Sequence, residues 1–194
     1  QRAAFIAGRE QDDIAGLALE AAATVPPQRL LSDPAFRLAD HTLAKEGAES
    51  QVVPGLVIDK EPLNRQMTTE IAPARVLLLD DALEPEPVEE QALRTEAGFQ
   101  RHMELQAQFK DDIAALVLCG ANAVFVRKSV SELAEEALTA NGVLVVRRML
   151  ARDLARLAEF TGATVLKRGG LRRSPDELGK CLGQAECVVH DQHL

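Results

Sequence analysis

The chain has 194 residues, 46% apolar and 27% charged, with 30 acidic against 22 basic side chains for a net charge of −8. This composition supports a globular core for one or two modest domains and excludes a disordered chain. An acid surplus spread along the sequence argues against nucleic acid and anionic membrane surfaces, both of which call for clustered Lys and Arg.

With no Trp, no Tyr and six Phe, the core rests on Leu, Val, Ile and Ala. No window approaches the roughly 18 apolar residues of a membrane-crossing helix, and no basic-then-apolar leader opens the chain. A first residue of Gln is expected to mark a cleavage or expression boundary. Three Cys without framework spacing suit a reducing cytoplasm.

In chain order, Ile14, Leu17, Ala18, Ala21 and Ala22 share a face and predict a helix over 12–25. Asp12 and Asp13 sit at its positive end, and Pro26-Pro27 closes it. A second helical piece is expected within 33–44, with Pro34 in its first turn, and 45–55 reads as a linker.

From Gly55 apolar runs alternate with helical ones. The runs are VLLLD (76–80), AVFVR (123–127), VLVVRR (143–148), ATVLKR (163–168) and CVVH (187–190). A helix over 98–117 places Phe99, Met103, Phe109, Ile113 and Leu116 on one side, with Arg101, Glu104, Gln108, Lys110 and Asp112 opposite. A second, over 129–142, opens on a capping box of Ser129 and Glu132 and stops at Asn141-Gly142. A third covers 150–160 and ends at Gly162; a short fourth opens on Ser174-Pro175-Asp176-Glu177. The fold class is α/β, a central sheet flanked by helices. The acidic, Pro-containing stretch 83–98 is too polar for the core and reads as a protruding connection.

Signatures of catalysis are missing from this pattern. No G-x-G-x-x-G joins a strand to a helix, and Gly179-Lys180 lacks the rest of a P-loop. Cys187, His190 and His193 are spaced by three, which on a strand divides them between two faces and argues against a metal. The pairs Asp12-Asp13, Asp80-Asp81 and Asp111-Asp112 read as solvated charge, and no Ser or Cys stands in a nucleophile's setting.

An ordered set of segments carries a family likeness: GLVIDKE (55–61), VLLLDDALEPE (76–86), GANAVFVRKSVSELAEEAL (120–138), GVLVVRRM (142–149), DLARLAEFTGA (153–163) and SPDELG (174–179). Together they resemble the apical domain of group II chaperonins, the thermosome and the eukaryotic cytosolic chaperonin. Residues 1–53 resemble the first segment of that family's intermediate domain. The resemblance implies an apical client-binding domain over 54–194 with a helical lid protrusion near 84–110, belonging to an ATP-dependent folding machine.

Several expectations follow from that resemblance. Partners would be unfolded or partly folded proteins and identical or related subunits in a double ring, in the cytoplasm. ATP and Mg²⁺ would belong to an equatorial domain outside this stretch, with no catalytic site in the chain itself. Client binding would fall to Asp59, Lys60, Glu61, Leu63, Asn64, Arg65 and Met67, Leu63 and Met67 offering apolar contacts. The helix would add Ser131, Glu132, Leu133, Glu135, Glu136 and Thr139, on a mostly polar surface suited to promiscuous binding. Leu93, Phe99 and Met103 would be the lid's apolar contacts with neighbouring subunits.

Gly8-Arg9 stands near the family's nucleotide-sensing Gly-Lys. Arg in place of Lys changes the hydrogen bonding, and a solvated Arg is the alternative. Two other readings stay open: a chaperonin-like scaffold without ATPase, as within a larger signalling enzyme, or a generic α/β ligand-binding domain with polar groups converging at the strand ends.

Overall fold

The computed structural model describes residues 10–25, 42–43 and 50–190. The Gly8-Arg9 pair lies outside them, as does the helix expected within 33–44, save Thr42 and Leu43, which carry no regular structure. The chain divides into two compact units, 1–59 with 191–194, and 60–190. In the first, helix α1 (Glu10–Thr24) matches the predicted helix to within two residues. Ile14 on its expected apolar face is 58% exposed. Residues 55–59, expected within the apical domain, form no strand and belong to this first unit.

The second unit is an α/β layer structure. Its strands and helices, in order, are β1 (Glu70–Ile71), β2 (Ala74–Leu79), α2 (Glu90–Leu93), α3 (Glu96–Leu118), β3 (Ala123–Val126), α4 (Glu132–Ala140), β4 (Leu144–Val146), α5 (Ala151–Thr161), β5 (Val165–Leu166), α6 (Pro175–Gly179), β6 (Gly183–Ala185) and β7 (Val188–Val189). The main sheet runs β4-β3-β2-β5, all parallel, and β6 pairs antiparallel with the first half of β2.

Strands buried on both faces read as unbroken apolar runs. Val76, Leu77, Leu78 and Leu79 are all 1% exposed or less, as are Val124 and Val126. Right-handed crossovers put α3 and α4, which touch each other, on one face and α5, which packs on β2, β5 and β6, on the other.

The helix ends follow local chemistry. The Ser174–Glu177 capping box opens α6 as expected. Gly162, at φ 74°, closes α5 in the left-handed conformation that costs an L side chain about 1–2 kcal/mol. The cap of α4 is Ser131, not Ser129: its hydroxyl accepts from Ala134 N–H at 3.3 Å. The reason is a parallel bridge between Leu83 and Val130, in which Leu83 N–H donates to Ser129 O and Ser131 N–H to Leu83 O. That bridge keeps the chain extended for two more residues. It also makes Leu83 fully buried, so the acidic connection begins later than its composition indicated.

Two further differences concern strands. CVVH contributes β7, which pairs with β1 in a separate antiparallel ribbon, while Gly183-Gln184-Ala185 takes the place beside β2. Asp112, placed on the polar side of α3, is 7% exposed and accepts from Gln108 Nε2 at 3.0 Å.

Candidate functional site

The loop 60–67 covers the free edge of β4. Leu63 N–H donates to Val145 O at 2.8 Å, and Val145 N–H donates to Met67 Sδ at 3.3 Å. Both edge-facing backbone groups of Val145 are thereby satisfied, and an open strand edge is removed. Met67 is 6% exposed, so the apolar contact expected of it is internal; it anchors the loop instead of presenting a surface. Leu63 is half-buried.

Asn64 fastens the loop to α4. Its Nδ2 donates to Glu135 Oε1 at 2.8 Å and to Thr139 Oγ1 at 3.0 Å, while its Oδ1 accepts from Gln66 N–H at 3.0 Å. Helix α4 buries Ala134 and Leu138 and leaves Glu132 and Glu136 exposed, with Leu133 half-buried. Loop and helix together bound a shallow cleft of about 490 Å³ lined by Asn64, Gln66, Glu132, Glu135, Glu136 and Thr139.

The structure thus joins the two stretches that the sequence singled out separately, and gives Ser131, Glu135 and Thr139 internal bonds as well as positions on the surface. Lys60, Glu61 and Arg65 are exposed on the same loop, outside the residues that line the cleft; Asp59, also exposed, falls in the first unit.

The segment between α2 and α3 has an elbow of its own. Thr95 caps α3 by accepting from Gly98 N–H at 3.0 Å, and its Oγ1 donates to Ala92 O at 2.7 Å. Gly98 lies directly under that carbonyl, where a Cβ would stand 1.9 Å from Ala92 O. Phe99 and Met103 are 57% and 52% exposed, and Leu93 is half-buried. Leu93 lines a second cleft of about 350 Å³ with Pro85, Pro87, Val88 and His102. The root of the segment is tied back to the body by Arg172 Nη2–Glu86 Oε2 at 2.7 Å.

The carboxyl ends of the parallel strands are where an α/β sheet offers a ligand crevice, at the point where the chain reverses its winding, here between β2 and β5. That point is filled. Asp80 receives Lys167 and Arg127, the latter at 2.6 Å; Asp81 receives Lys128 at 3.1 Å and Arg168 at 3.5 Å. Hydrogen bonds from Lys167 and Arg127 hold the Asp80 carboxyl below its usual range. Burial pushes Asp81 upward, but the Ala82 N–H and Lys128 outweigh it and the net shift is downward. Carboxylates already matched by four cations do not suit Mg²⁺. Arg168 and Arg172 were not singled out in the sequence, although KRGGLRR directly after an apolar run was the available signal.

Among the described residues no helix is long and apolar enough to cross a membrane. Cys119, Cys181 and Cys187 are free thiols, the first two buried.

Comparison with known proteins agrees with this architecture. The thermosome subunit beta of Archaeoglobus fulgidus is 36% identical over 151 residues, covering 75% of this chain and 27% of its own length. The thermosome subunit of Pyrococcus abyssi is 30% identical over 185 residues, covering 90% of this chain and 33% of its own length. The chain therefore spans about a quarter to a third of these relatives. A group III chaperonin crystallised in the open state superposes with a TM-score of 0.82 at 36% identity, over 95% of this chain and 38% of that one. The sequence profile of the TCP-1/cpn60 chaperonin family matches residues 4–194, and the chain belongs to that family.

Proposed function

We propose that this chain is the client-binding part of a chaperonin subunit, the apical domain with a flanking intermediate-domain segment, working in the cytoplasm. Unfolded or partly folded polypeptide binds across loop 60–66 and the outer side of α4. The arm over 84–110 acts as a lid element, with Phe99 and Met103 meeting neighbouring subunits of a ring. ATP and Mg²⁺ act in portions of the longer relatives that this chain does not span, and the nucleotide role of Arg9 belongs to the same proposal.

The observation that carries this reading is the Asn64 clamp on Glu135 and Thr139. It fixes a loop and a helix into one polar, shallow surface at the sheet edge. A wide cleft with small apolar patches favours weak, reversible and unselective contact over capture of one small molecule. The filled crevice at the strand ends points the same way.

The test is suppression of aggregation of a denatured enzyme by the chain in molar excess. Light scattering should fall in its presence, and Leu63→Asp should weaken the effect while circular dichroism stays unchanged. Undiminished scattering with the folded chain present would defeat the proposal.

A further inference from the structure

The four parallel strands each run into a charged pair at the same edge of the sheet. In spatial order these are Arg147-Arg148 after β4, Arg127-Lys128 after β3, Asp80-Asp81 after β2 and Lys167-Arg168 after β5. Six cations thus face two carboxylates along one edge of a chain whose net charge is −8. Both carboxylates are consumed by Arg127, Lys128, Lys167 and Arg168. Arg147 and Arg148 are exposed, and no carboxylate among the described residues pairs with either. Arg148 holds a φ of 56°, and its N–H donates to Lys128 O at 3.1 Å, which ties the two dicationic pairs together.

This positive edge is continuous with the proposed client surface. Val145, which holds the loop through Leu63 and Met67, lies two residues before Arg147, which follows the end of the same strand. Strand spacing sets the edge from β4 to β5 at roughly 14 Å, long enough for a run of several extended residues and too long for one carboxylate.

We propose that the carboxyl edge of the sheet, centred on Arg147 and Arg148, is a docking subsite for an acidic stretch of client polypeptide, laid beside the cleft of loop 60–66 and α4. This rests on the client-binding reading and assigns it a chemistry: clients with Asp- and Glu-rich segments are held at two places, through their charge on the strand ends and through apolar side chains near Leu63. The neighbouring Glu132 and Glu136 repel the same acidic segment and so set its register toward the arginines.

The experiment is fluorescence anisotropy of labelled unstructured peptides of equal length, one Glu-rich and one Lys-rich, and of a single-stranded oligonucleotide, against the whole 194-residue chain. The Glu-rich peptide should bind, weakening as salt rises. Arg147→Glu/Arg148→Glu should weaken it roughly tenfold. Both positions are exposed strand-end side chains, and the double variant's urea midpoint checks its folding. Equal affinity in the double variant, preference for the Lys-rich peptide, or tighter binding of the oligonucleotide would each overturn the proposal. If the double variant still suppresses aggregation of a neutral client, the subsite alone is lost and the client-binding reading stands. If the wild-type chain suppresses no aggregation at all, that reading fails independently of the peptide result.

Discussion

Replacing Asn64 by Ala removes three hydrogen bonds at once: two from its amide to Glu135 and Thr139, and one to its side-chain oxygen from Gln66 N–H. The bond to the Glu135 carboxylate is the strongest in kind. All are partly open to water, which replaces them at part of their value, so the net loss is about 1–2 kcal/mol. That loss falls on the loop and not on the sheet, because β4 remains paired with β3 along Leu144–Val146. An opening equilibrium shifted by this amount is about 5–30 times more populated. The assay is amide hydrogen exchange at Leu63 and Val145, whose N–H groups close the loop onto the strand edge. Both should exchange faster by that factor, with core amides of β2 and β3 unchanged. Thr139→Val, which removes one of the three bonds, should give an intermediate rate. Unchanged exchange at Leu63, or an equal loss of protection throughout 60–190, would refute the reasoning.

Gly98→Ala should open the elbow between α2 and α3, because the new methyl group meets the Ala92 carbonyl and no side-chain rotation relieves it. The cost is about 1–3 kcal/mol, and limited proteolysis should cut 84–96 faster while the sheet stays intact; unaltered cleavage would contradict it. The depressed carboxyls of Asp80, Asp81 and Glu177 stabilise the fold above the ordinary carboxylate range and lose that contribution as pH falls through their lower folded values. The urea midpoint should therefore drop between about pH 5 and pH 3, and Asp80→Asn should flatten that drop; a parallel pH profile in the variant would contradict the assignment. Exposed Cys187 should react rapidly with a disulfide reagent, while Cys119, whose thiol burial pushes upward, and buried Cys181 react slowly. More than one fast thiol in the folded chain would contradict the packing around them.

Much of this architecture was legible because periodicity and punctuation agree. Strands buried on both sides announced themselves as VLLL and AVFV, and Asn141-Gly142, Gly162 and Ser174 marked helix ends that the structure keeps. Elements set by pairing were not legible. Gly183-Gln184-Ala185 has no apolar run; it is a strand because Gly183 can lie against Thr161 and Ala163, where a Cβ would come within 2.4 Å of the Thr161 hydroxyl. The Leu83–Val130 bridge moved the α4 cap from Ser129 to Ser131 for a similar reason, a contact 47 residues apart that no local rule contains. In the candidate site, sequence could point to the loop and to the helix but not to the clamp between them, since Asn64 finds Glu135 only after the sheet has folded. Met67 looked like an available apolar side chain and proved to be the sulfur that satisfies a strand-edge N–H.

The most direct measurement of the account is site-specific photo-crosslinking of an unfolded polypeptide to the chain, with the reactive group placed in turn at Glu136, on the outer side of α4, and at Phe160, also exposed, on the helix that covers the opposite face of the sheet. Adducts at position 136 and almost none at 160 are predicted. Equal labelling at both, or labelling confined to 160, would contradict it.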